Sequence, residues 1–247
     1  MDPSTAAAIA IIALPIIAWL LKDDPAKLGQ RPDGDGIAAS ATKRDVAVEG
    51  SATGLSLGEA VRTRTYWLVM LTFFVIGFAV QSALMHLVPL LTSRGISPMA
   101  AAFAQSMMFL AVTTGRLVTG WLMDRFFAPR VALAFLLAPI AGLLLLALNL
   151  PEWLAIVAAL MIGLAVGAEV DVLAYLNGRY FGQRHFAHIY GSFYGSYSLS
   201  GGVGPLVTAL MVDRGGYPLA MSVLAGLLVL GCVALLSFPR FTSRGIP

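Results

Sequence analysis

The chain has 247 residues, of which 58% are hydrophobic and only 12% charged, with a net charge of +3 and a mean hydropathy of +0.83. Soluble domains carry about 25% charged residues, so this chain has too little charge to cover a water-facing surface. Its basic residues form no stripe with aromatic residues, which argues against nucleic acid as a partner, and its single cysteine, Cys232, excludes intrachain disulfides and Cys-rich metal sites.

Apolar runs of membrane-spanning length recur along the whole chain. A spanning helix needs about 20 predominantly apolar residues. Seven runs are candidates: Thr5–Leu21, Tyr66–Leu91, Pro98–Met123, Val131–Leu150, Glu152–Leu176, His188–Val212 and Tyr217–Phe238. The sequence therefore predicts an all-α membrane protein with seven transmembrane helices.

The first run, within residues 1–21, is shorter than the others and begins almost at Met1. No basic residue precedes it, which disfavours a signal peptide. We expect a membrane span that is truncated relative to a longer sequence. Residues 22–64 are polar, without apolar periodicity, and predict a disordered linker, whose far end, Ser56–Ala60, is expected to start a short amphipathic helix. Residues 65–247 are expected to form a six-helix bundle.

The basic residues predict the orientation of these spans. Thirteen lysines and arginines fall in the linker, the 124–130 and 178–187 hairpins and the tail, whereas the opposite side receives only Arg94 and Arg214. Cytosolic segments of membrane proteins carry the excess of basic residues. We therefore expect the linker and the carboxyl terminus to face the cytosol in a plasma membrane (for a bacterium, the inner membrane).

A charged hairpin follows the third run. Arg116, Gly120 and Asp124 recur every four residues, so they lie near one helix face. Arg125 and Arg130 follow, and Pro129 is expected to stop the helix. The simplest interpretation of Asp124 and Arg125 is a solvated helix end.

The same hairpin resembles the loop signature of the major facilitator superfamily of secondary transporters. Gly120, Asp124, Arg125 and Arg130 match that signature, while Phe127 and Pro129 depart from it. The resemblance implies that the chain holds the last helix of one half plus a complete six-helix second half. It further implies transport by alternating access, no enzymatic activity, no cofactor or metal, and a need for the missing amino-terminal half or a second chain.

Gly115-Arg116 followed by Gly120 is also similar to a helix of the monocarboxylate and oxalate/formate transporters. In that branch the arginine binds the substrate carboxylate, and a guanidinium suits this role because it stays charged and donates two parallel hydrogen bonds. The competing interpretation is that Arg116 reaches the nearby membrane surface or pairs with Asp124. No lysine follows Lys43, which argues against a second cationic ligand and a dicarboxylate substrate.

Acidic residues occur inside the fifth run. Gly163 and Gly167 predict close helix packing, and Glu169 and Asp171 point to different sides of that helix. A carboxyl group at such depth is neutral unless a cation or water accompanies it. Glu169, and after it Asp171, are therefore predicted to carry a coupling proton. The alternative is structural: Glu169 pairs with Arg116 or a backbone amide, and Asp171 pairs with Arg179.

Polar and glycine residues in two further runs complete the candidate site. Gln81, Tyr194 and Tyr197 offer groups that reach a substrate, although the tyrosines can equally bond to neighbouring helices. Gly204-Pro205 is a predicted flex point for gating. His86 is interpreted as a hydrogen-bonded histidine near the membrane interface.

These features predict a proton-coupled or exchange transporter of a small, monocarboxylate-like anion. The alternatives are efflux of amphipathic compounds, or a truncated half-transporter with no activity of its own. The sequence shows no catalytic motif that favours an enzyme.

Overall fold

The computed structural model describes residues 54–148 and 151–239. Six helices make up this part: α1 Leu57–Ala60, α2 Arg64–Ser93, α3 Pro98–Met123, α4 Ala128–Ala147, α5 Glu152–Phe181 and α6 Phe186–Leu236. Helices α2 to α6 are each long and apolar enough to cross a membrane. The predicted span Thr5–Leu21 lies outside the described residues, so the total of seven spans stays a prediction.

Helix α6 contains a break that separates two helical segments. Its 51 residues would extend for about 76 Å, far more than the roughly 30 Å of a hydrocarbon layer. Gly216 interrupts it with φ 74° and ψ 176°, a conformation open to glycine. We call residues 186–215 the first arm and residues 217–236 the second arm. The sequence predicted two spans here, separated at nearly the same point.

The helix ends follow from short polar residues and glycines. The side chain of Thr63 caps α2 and that of Ser97 caps α3, each accepting a backbone N–H three residues later. Gly182 ends α5 with φ 80°. Pro129 lies in the first turn of α4, so the expectation that it stops α3 is wrong. Proline suits a first helical turn because its missing N–H has no intrahelical acceptor there.

Glycines allow two helix pairs to approach closely. Helix α3 packs chiefly along α5, and α2 along α6. A Cβ atom at Gly163 or Gly167 would overlap the backbone carbonyl oxygen of Met108 or Val112, respectively, on α3. The predicted close packing around Gly163 and Gly167 is therefore confirmed. These contacts fix α5 against α3 and direct the opposite side of α5 toward α4 and α6.

Candidate functional site

Glu169 lies at the centre of the bundle, on α5, with 4% of its surface exposed. It is the one buried acidic or basic side chain within the described residues. Its Oε2 atom accepts a hydrogen bond of 2.9 Å from the hydroxyl of Tyr197 on α6. Its Oε1 atom has no hydrogen-bond partner in the described part of the chain.

An apolar cavity adjoins this carboxyl group. Phe73 and Ile76 of α2, Ala132 and Leu136 of α4, and Ala165 of α5 contribute to its lining together with Glu169. Its volume of about 20 Å³ is enough for one water molecule, but such a water needs two to four polar partners. Glu169 is the one polar residue among those that line this cavity, so a water molecule there would lack enough hydrogen-bond partners, and we expect the cavity to be dry.

Three tyrosines follow one side of the first arm of α6. The ring centroids of Tyr190 and Tyr194 are 5.9 Å apart, and those of Tyr194 and Tyr197 are 6.1 Å apart, with the rings stacked in both pairs. Tyr194 is 46% exposed, whereas Tyr197 is buried. Of the two tyrosines predicted as substrate ligands, Tyr194 is therefore accessible at the surface of the described bundle, whereas the hydroxyl of Tyr197 is occupied by Glu169.

Arg116 reaches the same region from α3. Its backbone lies against Gly167, one turn before Asp171 on α5. The side chain is exposed, and its charge acts on the hydroxyls of Tyr190 and Tyr197. Half-buried Asp171 also acts on Tyr190. The fold therefore joins Glu169 to Tyr197 directly and places Arg116 and Asp171 in the same region of the bundle.

Tyr190 was not among the site residues predicted from the sequence. Its position relative to Tyr194 and Tyr197, four and seven residues away, places it on the same helix face. This periodicity was a usable signal for the third ring.

The other predicted substrate and gating residues lie along the contact between α2 and α6. Half-buried Gln81 packs its side chain against Gly201. A Cβ at Gly204 would meet the carbonyl oxygen of Phe78, so this glycine serves close packing. The carbonyl of Pro205 accepts a 3.0 Å hydrogen bond from Nε2 of His86. The backbone stays helical through Gly204 and Pro205, and the non-helical residue of α6 is Gly216.

The hairpin residues form a separate group at the end of α3. Asp124 caps the carboxyl end of α3, and Asp124, Arg125 and Arg130 are all exposed. The Arg125 guanidinium lies 4.0 Å from the centre of the Trp121 ring. Gly120 has open space beside it. Eight residues, or about 12 Å of helix, separate Asp124 from Arg116, so the hairpin is distinct from the Glu169 site.

The fold is similar to solved transporters. The E. coli fucose:proton symporter FucP matches with a TM-score of 0.65 and 18% identity over 75% of this chain and 46% of that one. Two structures of a mutant peptide transporter POT, in complex with alafosfalin and with sulfate, match with TM-scores of 0.65 and 0.66 and 19% identity, over 84% of this chain and 45% of theirs. At such identity the likeness shows the fold alone, and the chain spans less than half the length of these proteins.

No curated protein matches the chain. A model of the Major Facilitator Superfamily matches residues 4–170, which is more than half of the sequence. This is a family of transporters and not of enzymes, and its match agrees with a multi-pass bundle of apolar helices. The chain is therefore an integral membrane protein that belongs to the Major Facilitator Superfamily.

Proposed function

We propose that this chain takes part in secondary active transport of a small organic anion of the monocarboxylate type, coupled to protons. The observation that carries the proposal is the buried Glu169 carboxyl, which receives a hydrogen bond from Tyr197 and adjoins an apolar cavity. An unpaired carboxylate is costly in such surroundings. A group that must be neutral when enclosed, and can ionise when water reaches it, is suited to carry a proton between two sides.

Tyr197 would position the proton carrier in this mechanism. A hydroxyl that donates to Oε2 leaves Oε1 as the oxygen that holds the proton of a neutral carboxyl. Movement of α6 relative to α5 would break or form this hydrogen bond, since the two residues belong to different helices. Asp171, half-buried two residues further, is the second candidate carrier.

Arg116 would bind the carboxylate of the substrate. Its guanidinium is exposed in the described structure and close to the tyrosines of α6. A substrate held there would lie beside the exposed ring of Tyr194 and within reach of the Glu169 helix. We propose Gln81 and Tyr194 as its further polar contacts, with Tyr197 available when it releases Glu169.

The remaining motif residues are assigned to gating. We propose that Gly120, Asp124, Arg125 and Arg130 form a latch on the cytosolic side, which the linker and carboxyl terminus also face, and that Gly204 and Pro205 allow α6 to bend. The chain covers less than half of the matched transporters, so transport would need a complementary half or a second chain. Efflux of amphipathic compounds and a half-transporter without its own activity are the competing proposals.

Uptake of labelled short-chain monocarboxylates into proteoliposomes that contain the chain with its complementary half or second chain, with and without an imposed pH gradient, tests the proposal. Glu169→Gln is expected to abolish gradient-driven uptake while anion exchange persists, whereas Glu152→Gln, at the exposed start of α5, serves as the matched control. Arg116→Ala and Arg116→Lys are expected to abolish both activities. Unchanged uptake by the Arg116 variants would refute the role of Arg116 as the ligand of the substrate carboxylate. Normal gradient-driven uptake by Glu169→Gln would refute the role of Glu169 as the proton carrier.

A further inference from the structure

A groove opens between α2 and the second arm of α6, away from the Glu169 site. Leu68, Leu71, Thr72 and Val75 line it from α2, and Leu230 and Ala234 line it from α6. Its volume is about 280 Å³, and its lining is apolar except for Thr72. Leu71 and Leu230 are 59% and 61% exposed, so the groove is open on the outer surface of the described bundle.

The amino end of α2 places a cation above this groove. Arg64, the first residue of α2, is exposed. At 100° per residue, Arg64 and the four α2 residues of the groove fall within an arc of about 100°. The guanidinium and the apolar lining therefore share one helix face. Arg62, also exposed, adds a second positive charge at this end.

The dimensions match one leaflet of a bilayer. Helix α2 has 30 residues and is about 45 Å long, which exceeds the roughly 30 Å hydrocarbon layer and places its ends among the headgroups. Val75 lies about 17 Å along the axis from Arg64, close to the half-thickness of that layer. The indole N–H of exposed Trp67 donates to the carbonyl of Val61, as is typical of an aromatic ring at the membrane interface.

We propose that this groove binds an anionic phospholipid, with one acyl chain between α2 and α6 and the phosphate at Arg64. The groove extends over only two turns of α2, about 10 Å from Leu68 to Val75. A partner helix would need an apolar face that continues across the whole membrane. An acyl chain that starts below a headgroup at Arg64 needs a groove only along the outer part of one leaflet. A negative headgroup complements the two arginines at the open end.

Native mass spectrometry of the full chain, released from nanodiscs, tests the proposal. The probes are phosphatidylglycerol and phosphatidylcholine with identical palmitoyl and oleoyl chains. We expect retained phosphatidylglycerol and at least about fivefold weaker retention of phosphatidylcholine, since one basic residue near a lipid headgroup contributes about that factor. Equal retention of the two lipids would overturn the role of the arginines.

Two variant pairs separate the headgroup from the acyl chain. Arg64→Gln is expected to reduce phosphatidylglycerol retention about fivefold, Arg64→Lys to restore most of it, and Arg214→Gln, an exposed arginine at the end of the first arm of α6, to leave it unchanged. Ala234→Phe should fill the groove and displace either lipid, whereas Val233→Phe, 56% exposed and outside the lining, should not. Normal retention by Arg64→Gln or by Ala234→Phe, or a dimer of the chain in place of a lipid complex, would refute the site.

Discussion

The hydroxyl of Tyr197 and the carboxyl of Glu169 meet at 2.9 Å, although 28 residues separate them in the chain. Both side chains are buried, and the hydrogen bond is the polar contact that joins the centre of α5 to the first arm of α6. This hydrogen bond contributes to the stability of the fold and positions the proposed proton carrier, so its removal should lower the stability and impair proton coupling.

Tyr197→Phe removes this hydroxyl and keeps the ring. The loss of a hydrogen bond to a buried polar group is expected to lower the free energy of unfolding by about 1–3 kcal/mol. Thermal unfolding in detergent measures this, and proton flux in proteoliposomes measures the coupling. Tyr194→Phe is the control for unfolding, because Tyr194 is 46% exposed. Equal effects of the two substitutions on thermal unfolding would contradict a specific role for the Glu169 contact.

Gly167→Ala tests the close approach of α3 and α5. The added methyl group would overlap the Val112 carbonyl oxygen, and overpacking of this kind costs about 1–3 kcal/mol. Gly226→Ala is the matched control on the second arm of α6, since open space surrounds Gly226 and alanine favours a helix. A lowered melting temperature is expected only for the first variant; an unaltered one would show that the helices can separate at little cost.

Arg94→Ala tests a helix-end contact that could not be predicted from the sequence, in which Arg94 counted only as a basic residue on the side away from the cytosol. The Arg94 guanidinium donates to the carbonyl oxygens of Leu148, at 2.8 Å, and of Leu146. Leu146 lies in the last turn of α4 and Leu148 is the residue that caps it, and carbonyls at a helix end lack intrahelical donors. We expect a destabilisation of about 1–3 kcal/mol in chemical unfolding, less for Arg94→Lys, and none for the exposed Arg214→Ala.

Glu59 provides a pH prediction outside the membrane spans. The backbone N–H of Ser56, followed by the Ser56 hydroxyl, donates to this carboxylate and lowers the pKa of Glu59 below its ordinary value of 4.5. Because the folded pKa is depressed, the stabilisation is present above pH 4.5 and is lost as the pH falls through the folded pKa.

The melting temperature of Glu59→Gln is therefore expected to lie slightly below that of the parent chain at pH 7 and to converge with it as the pH falls through the folded pKa of Glu59. In a chain that carries Ser56→Ala, the effect of Glu59→Gln on the melting temperature at pH 7 should be smaller, because the Ser56 hydroxyl no longer donates to the Glu59 carboxylate. A difference that stays constant while Glu59 becomes protonated would contradict the assignment.

The sequence alone determined the positions of the apolar helices from residue 64 onward and the family resemblance of the hairpin. Hydropathy is a local property, and a run of 20 or more apolar residues must hydrogen-bond its own backbone in a bilayer. The ends were less well predicted: α5 extends to Phe181, five residues beyond the predicted Leu176, since Gly182 and not hydropathy ends it. Pro129 was assigned to the wrong helix for a similar reason, because proline is compatible with both a helix end and a helix start.

Only the tertiary structure decided which side chains meet. The sequence pointed to Glu169 and Tyr197 separately, one for protons and one for substrate, and left Arg116 or a backbone amide as the alternative partner of Glu169. Periodicity gives the face on which a residue lies, but it does not say which other helix that face contacts. Gly163 and Gly167 place α3 on one side of α5, which leaves Glu169 directed at α6, and this arrangement depends on packing between distant segments of the chain.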